Sequence, residues 1–98
     1  MDFTDKTFII TGASQGIGKT TAMALAEQNA HVLLVDIQKD KLDQVAEEIS
    51  SGNGKAAAYE ADVSRMDQVM DMLNEMLSRH GTIHGLVNNA GITRDGLL

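Results

Sequence analysis

Short, uninterrupted apolar runs alternate along this chain with longer segments of helical period. The runs cover residues 8–10, 32–35 and 86–87, and residues 56–59 fit the same rhythm. Continuous apolar runs are typical of strands that are covered on both faces, unlike the alternating pattern of half-exposed sheets. Neighbouring strands that are connected by a helix pair in parallel, because the helix returns the chain to the end of the sheet where the previous strand began. The pattern therefore predicts an α/β fold.

Three helices are predicted between the strands, each with apolar residues at intervals of three and four. Ser64 and Asp67 resemble a capping box at the start of the third helix, and Gly81 stands where a left-handed residue would end it. Met72 lies off the apolar stripe of that helix. The predicted faces comprise Ile17, Met23, Leu25 and Ala26; Leu42, Val45, Ala46 and Ile49; and Met66, Val69, Met70, Leu73, Met76 and Leu77.

The order of these elements predicts a Rossmann-type, doubly wound parallel sheet with helices on both faces. Crossovers between parallel strands are right-handed, so the chain moves outward from strand one to strand three. If strand four returns beside strand one, the strand order is 3-2-1-4. Ligands of such sheets bind at the carboxyl ends of the strands, where the order reverses. We expect these residues to form one parallel sheet whose ligand site lies at that edge.

The loop after strand one reads TGASQGIGKT and allows two interpretations. Its last residues resemble a nucleoside-triphosphate P-loop, which needs a glycine five residues before Gly18. That position holds Ala13, and Gly12 comes one place too early. The same glycines suit a dinucleotide, because they let the backbone turn sharply and approach a pyrophosphate. Asp36 ends strand two, about 20 residues after the glycines, where an acid accepts hydrogen bonds from an adenosine ribose.

Charge and composition exclude other classes of partner. The chain has 8 Lys and Arg against 14 Asp and Glu, a formal charge of -6, and no basic cluster. Nucleic acids and anionic membranes need a concentrated positive face, so neither is expected as a partner. The first ten residues carry acids and reach the glycine turn too soon for a signal peptide or membrane span. With no cysteine and no metal-ligand spacing among the histidines, we predict no metal site and a cytoplasmic protein.

Three motifs together resemble the short-chain dehydrogenase/reductase family in its TGxxxGIG subclass. They are TGASQGIG at 11–18, ADV at 61–63 and NNAG at 88–91. They occur in the family's order, at the ends of strands one, three and four. The longer run LVNNAGITRDGLL is most similar to the 3-oxoacyl-[acyl-carrier-protein] reductases of that family.

The resemblance implies a set of cofactor-binding residues. The glycine loop would contact the pyrophosphate and adenosine ribose, the ADV motif would contact the adenine ring, and the NNAG motif would pass under the cofactor. Asn88 would tie strand four into the sheet. The implied residues, besides Asp36, are Gly12, Ser14, Gln15, Gly16, Ile17 and Gly18; Asp62 and Val63; and Asn89, Ala90 and Gly91.

Asp36 also predicts NAD(H) in preference to NADP(H). A carboxylate that binds both ribose hydroxyls would repel the additional phosphate of NADP(H). No arginine directly follows Asp36, and Gln15 stands where NADP-preferring relatives often carry a base. Lys19 is predicted to be the nearest cation that would offset this repulsion. Most acyl-carrier-protein reductases use NADPH, so this prediction departs from that narrower resemblance.

The resemblance implies hydride transfer between a nicotinamide and a small carbonyl or alcohol substrate, with a Tyr-x-x-x-Lys pair and a serine as catalytic residues. The only tyrosine is Tyr59, and Val63 stands four residues later. We therefore expect no catalytic residue in these 98 positions. The leading hypothesis, which the resemblance implies, is that residues 1–98 are the amino-terminal dinucleotide-binding portion of a single Rossmann-fold domain, with a partial sheet, in a larger homo-oligomeric enzyme. A stand-alone NAD-binding module that self-associates, and a nucleoside-triphosphate binder, remain as alternatives.

Overall fold

The computed structural model describes residues 2–90, which form four strands and three helices in alternation. The predicted order of elements is confirmed, and each strand is one or two residues longer than its apolar run. The strands are β1 (Thr7–Thr11), β2 (His31–Asp36), β3 (Lys55–Glu60) and β4 (Gly85–Val87). The helices are α1 (Gly16–Glu27), α2 (Lys39–Ser51) and α3 (Met66–His80).

The strands form one parallel sheet in the order β3-β2-β1-β4, as predicted. Ile9 of β1 is in register with Leu33 of β2 and with Leu86 of β4. The chain thus moves outward from β1 to β3 and then returns to the other side of β1. This reversal brings the segments that follow β1 and β4 next to each other at the carboxyl edge of the sheet.

The core has two layers, one on each face of the sheet. Val32 and Leu34 of β2 pack in the cluster that contains α1 and α2, whereas Leu33 and Val35 pack in the cluster that contains α3. All four side chains are fully buried. Full burial of such a side chain stabilises a fold by about 1.5–3 kcal/mol. The helices on both faces explain why β2 is a continuous apolar run.

Helix α1 packs against the sheet through small residues. Gly18, Ala22 and Ala26 are its buried positions. Ile17, which the periodicity placed on the buried face, is 64% exposed. That part of the prediction is wrong, because the small residues bring α1 close to the sheet along a line that leaves Ile17 on the outside.

The apolar stripe predicted on α3 is buried only in part. Met72 and Met76 are buried, whereas Met66, Met70 and Leu77 are exposed. The prediction is therefore wrong for these last three residues, and Met72, predicted off the stripe, belongs to the core. The reason is that α3 packs on one side only, against the sheet, among the residues that the structure describes.

The start of α3 also differs from the prediction. The N-cap is Arg65, which makes no side-chain capping bond. Ser64 donates its hydroxyl to Asp62 Oδ1 at 2.6 Å, and its backbone N–H to the same oxygen at 3.0 Å. This local turn engages Ser64 before the helix begins, so the predicted capping box with Asp67 does not form. Gly81 does end the helix with a positive φ of 77°, but its ψ of −121° lies outside the left-handed helical region that was predicted.

None of the helices within residues 2–90 is long and apolar enough to cross a membrane.

Two histidines join the start of β2 to the end of α3. The rings of His31 and His80 pack edge to face with centroids 4.8 Å apart, and His80 Nε2 lies 2.8 Å from the hydroxyl oxygen of Tyr59. Burial lowers the pKa of His31, and the neighbouring His80 and Lys55 lower it further. Protonation of His31 is therefore less favourable in the folded chain than in the unfolded one.

This arrangement predicts that acid destabilises the fold near neutral pH. The unfolded chain, whose histidine pKa is about 6.5, binds more protons than the folded chain. The contribution of His31 to stability is complete above that pH and is lost as the pH falls below it. The free energy of unfolding in urea should decrease between pH 7.5 and pH 5.5, and His31→Gln should flatten that decrease. An equal decrease in both proteins would assign the pH dependence to other groups.

Candidate functional site

The loop after β1 turns sharply at Gly12, which has a φ of 63°. A side chain here would be strained by that φ, and its Cβ would lie only 3.1 Å from the backbone nitrogen and Cα of Ala90. Glycine thus allows both the turn and the close approach of the segment that follows β4.

The amino terminus of α1 follows this turn. Gln15 is its N-cap, with an extended backbone (φ −163°) and no side-chain capping bond. The first N–H groups of a helix have no acceptor within the helix, and the helix dipole makes this end positive. Together with the glycine turn, this end of α1 is suited to an anion such as a pyrophosphate.

Asp36, at the end of β2, reaches back to the loop after β1. Its Oδ2 accepts hydrogen bonds from the Ser14 hydroxyl at 2.8 Å and the Ser14 N–H at 3.2 Å. Its Oδ1 accepts from the N–H of Gln38 at 3.1 Å. These bonds hold the carboxylate in one orientation, and Oδ1, which accepts a single bond, can accept a further one. Ser14 is itself buried and does not line the cleft that contains Asp36.

The segment after β3 lies across from Asp36. The N–H of Asp62 donates to Gln68 Oε1 at 2.8 Å, and Asp62 Oδ1 accepts from Ser64. Val63 is 40% exposed, and Ile37, which follows Asp36, is 60% exposed. Both apolar side chains line a cleft that also contains Asp36.

Thr11 organises the segment after β4. Its hydroxyl oxygen accepts from the N–H of Asn89 at 2.8 Å and of Ala90 at 3.1 Å. The hydroxyl lies 3.0 Å from Asn88 Oδ1, to which it donates. This contact joins β4 to β1 as predicted for Asn88. Asn89 is buried, and its side-chain Nδ2 has no hydrogen-bond partner within the described residues.

These segments enclose a cleft of about 270 Å³ at the switch point. Pockets for small ligands are typically about 300–1,000 Å³, so this one suits part of a dinucleotide. Seven of the predicted residues line the cleft. Ser14, Gly18 and Asn89 are buried and do not line it, and exposed Ile17 does not line it either. Gly91 is outside the described residues. The lining comprises Gly12, Gln15, Gly16, Val35, Asp36, Ile37, Gln38, Ala61, Asp62, Val63 and Ala90.

The chemistry of the cleft fits a dinucleotide cofactor. It combines a helix amino terminus for phosphate, a fixed carboxylate for hydroxyl groups and two exposed apolar side chains for a flat ring. Asn89 Nδ2, a buried amide close to the glycine turn, is able to donate to a ligand or water oxygen, which would remove the cost of an unsatisfied buried donor. The residues present therefore match the group that the glycine loop predicts.

A larger groove of about 460 Å³ lies between β3 and α3. Its polar lining includes Glu60, Asp71, Glu75 and Arg79, and Arg79 forms an ion pair with Glu75 at 3.3 Å. It has no glycine turn beside it, and its three acidic side chains disfavour an anion such as a pyrophosphate. We therefore assign the site to the smaller cleft.

The structure corrects the predicted role of Lys19. Its ammonium lies 3.2 Å from Glu48 of α2, which engages it away from the cleft. Among the described residues, the lysine side chain that contacts the glycine loop is that of Lys41, whose Nζ donates to Gln15 Oε1 at 3.0 Å. This contact joins residues 26 positions apart, and no sequence spacing pointed to it. Ile37 and Gln38 were also missed, although their position directly after β2 at the same sheet edge could have indicated them.

Comparison with known proteins finds one family that matches nearly the whole chain. The family model described as short chain dehydrogenase matches residues 6–98. The 3-oxoacyl-[acyl-carrier-protein] reductase of Thermotoga maritima is 42% identical over 93 residues, which are 95% of this chain but 38% of the relative. The chain thus spans less than half the length of that curated relative.

Two solved structures have the same fold as this chain. A metagenomic short-chain oxidoreductase in complex with NADP has a TM-score of 0.83 and 31% identity, over 86% of this chain and 38% of its own. A putative D-mannonate oxidoreductase from Haemophilus influenza with bound NAD has a TM-score of 0.82 and 32% identity, over 87% of this chain and 30% of its own. One neighbour thus carries NADP and the other NAD.

Proposed function

Because the chain belongs to the short chain dehydrogenase family, we propose that it forms the cofactor-binding part of an NAD(P)-dependent oxidoreductase. The observation that carries this proposal is the position of Asp36. Its carboxylate is held by Ser14 at the carboxyl edge of the sheet, beside the glycine turn and the amino terminus of α1. An acceptor for hydroxyl groups and a site for phosphate therefore share one cleft.

Each wall of the cleft has its own role in this proposal. Gly12, Gly16 and the first amides of α1 bind the pyrophosphate, and Gln15 borders it. Asp36 accepts hydrogen bonds from the adenosine ribose. The adenine ring packs between the segments that carry Ile37 and Val63, and Asp62 binds its edge. Further implied contacts are Ser14, Ile17 and Gly18 in the loop, and Asn89, Ala90 and Gly91 beneath the cofactor.

The bound cofactor would supply a nicotinamide that accepts or donates a hydride. The residues of this chain bind and orient it and exclude water from the adenosine end. The residue four positions after Tyr59 is Val63 and not a lysine, so Tyr59 does not belong to a Tyr-x-x-x-Lys pair. Its hydroxyl is instead hydrogen-bonded to His80 within the fold. We propose that the 98 residues bind cofactor without catalysing reduction by themselves.

The substrate class follows from the resemblance alone. The Thermotoga maritima reductase supports a small carbonyl or alcohol compound, of which a 3-oxoacyl thioester is one candidate. We further propose a cytoplasmic, homo-oligomeric enzyme, in which other protein surface covers the exposed Leu77 and Leu86. A stand-alone NAD-binding module that self-associates gains no support from the comparisons.

Calorimetry of the chain with NADH, NADPH and ATP tests the proposed function. We expect binding of both dinucleotides, with NADH tighter than NADPH, because the Asp36 carboxylate repels an additional phosphate nearby. Binding of ATP in preference to NADH would instead support a nucleoside-triphosphate binder.

Asp36→Asn should shift the preference toward NADPH. The amide keeps the size of the side chain but removes the negative charge, so the ratio of NADPH to NADH affinity should rise about tenfold, or 1.4 kcal/mol. Both dissociation constants are measured by calorimetry, with circular dichroism as a check on folding.

A matched control is Asp40→Asn, which removes the same charge from the exposed first turn of α2. Asp40 does not line the cleft, so the ratio should stay within about twofold. A ratio that is unchanged in Asp36→Asn, or that moves equally in both variants, would contradict the assignment of Asp36 to the ribose.

A further inference from the structure

The contact between Lys41 and Gln15 has a chemical consequence for the cleft. Lys41 Nζ lies 3.0 Å from Gln15 Oε1. An ammonium group only donates hydrogen bonds, so it must face the oxygen of the amide and not the nitrogen. The amide of Gln15 is thereby oriented, with its oxygen toward α2 and its NH₂ group left to donate elsewhere.

Gln15 is placed to use that NH₂ group in the cleft. It lines the cleft together with Gly12, Gly16 and Asp36. Although it is the N-cap of α1, its side chain makes no capping bond. Asp36 can only accept hydrogen bonds when ionised, so Gln15 and Asp36 offer a ligand one donor and one acceptor.

The neighbouring lysine does not share this role. Lys39 stands one half-turn earlier on α2, and its Nζ lies 2.7 Å from Asp43 Oδ2 in an ion pair within the helix. Hydrogen bonding to Asp43 and its charge raise the pKa of Lys39. Lys39 and Lys41 thus carry the same charge on the same exposed helix turn, but only Lys41 contacts Gln15 among the described residues.

We propose that Lys41 is a positioning residue for the cofactor: it orients the Gln15 amide so that its NH₂ group donates to an oxygen of the adenosine half. This inference rests on the proposed function. Both side chains are exposed, so their contact adds little to folding stability. Its effect is on affinity, because a ligand meets a donor that is already oriented.

A double-mutant cycle with NADH tests this role. Lys41→Met should raise the dissociation constant about fivefold, because NADH must then immobilise the Gln15 side chain on binding. Gln15→Met should raise it by a similar factor, and adding Lys41→Met to that variant should change it by less than twofold. Lys41→Arg keeps a donor at this position and should restore most of the affinity.

The control is Lys39→Met, which removes the same charge and should leave the dissociation constant within twofold. Equal losses from Lys39→Met and Lys41→Met would show a general effect of charge and overturn the proposal. It would also be overturned if Lys41→Met weakened binding as strongly in the Gln15→Met background. If the unmodified chain bound no NADH, the proposed function would fail instead.

A measurement without cofactor examines the orientation itself. In a ¹⁵N-labelled chain, the side-chain amide signal of Gln15 should shift and narrow toward that of a mobile glutamine in Lys41→Met, and should not change in Lys39→Met. An unchanged Gln15 signal in Lys41→Met would refute the positioning role even if the cofactor bound normally.

Discussion

Replacing Gly18 with alanine is expected to destabilise the fold and to abolish measurable dinucleotide binding. A Cβ at this position would overlap the carbonyl oxygen of Gly12 and would lie 2.8 Å from Asn89 Nδ2. The backbone oxygen cannot move without moving the glycine turn. Overpacking of this kind costs about 3 kcal/mol or more, which exceeds the roughly 1 kcal/mol that alanine gains over glycine in a helix. Urea unfolding and NADH calorimetry measure the two effects.

Two other glycines serve as controls for this prediction. A Cβ at Gly52 would meet its nearest atom, Ile49 O, at an ordinary 3.7 Å, and the φ of −92° suits any residue. Gly52→Ala should therefore change the unfolding free energy by less than about 0.5 kcal/mol. Gly16 has space around it but a φ of 59°, so Gly16→Ala should cost about 1 kcal/mol from backbone strain alone. If Gly18→Ala were as stable as Gly52→Ala, the close packing of α1 on the turn would be refuted.

Thr11→Val is expected to destabilise the fold by about 2–3 kcal/mol. Valine has nearly the same shape but cannot accept the hydrogen bonds that the Thr11 oxygen receives from the N–H groups of Asn89 and Ala90. Leaving a buried donor without its acceptor costs about 1–3 kcal/mol. Asn89 is 3% exposed, so water cannot replace the lost bond without entering the core. The segment after β4 should then move away from the glycine turn and weaken NADH binding.

Thr11→Ser separates the hydroxyl from the methyl group. Serine keeps the oxygen and removes one buried methyl, which costs about 0.8 kcal/mol. Urea unfolding should therefore rank the proteins as wild type, Thr11→Ser and Thr11→Val, from most to least stable. Equal stability of the serine and valine variants would mean that the hydroxyl does not hold the segment after β4.

The central strands were predictable because burial on both faces leaves a direct mark on the sequence. Val32, Leu33, Leu34 and Val35 are all apolar, since alternate residues enter the two layers of the core. The helices on each side then required parallel pairing and the order 3-2-1-4. The outer faces of the helices were less predictable. Ile17, Met66 and Leu77 fit an apolar period, but no described residue covers them.

The candidate site also has local features that the sequence predicted and contacts that it did not predict. Glycines at fixed spacing and an acid at the end of β2 are local features, because the turn and the strand end lie within short segments. The partners of these residues are not local. Ser14 meets Asp36, and Thr11 meets Asn89, only because β1 lies between β2 and β4.

The sequence by itself determined the order of elements, the pairing of the strands and the position of the glycine turn, because each depends on backbone conformation or burial within a short segment. The tertiary structure alone decided which side chains meet at the carboxyl edge of the sheet. Lys41 contacts Gln15, and Lys19 turns to Glu48. These contacts depend on how α1 and α2 pack side by side on one face of the sheet. Long flexible side chains leave no periodic signal of such contacts in the sequence.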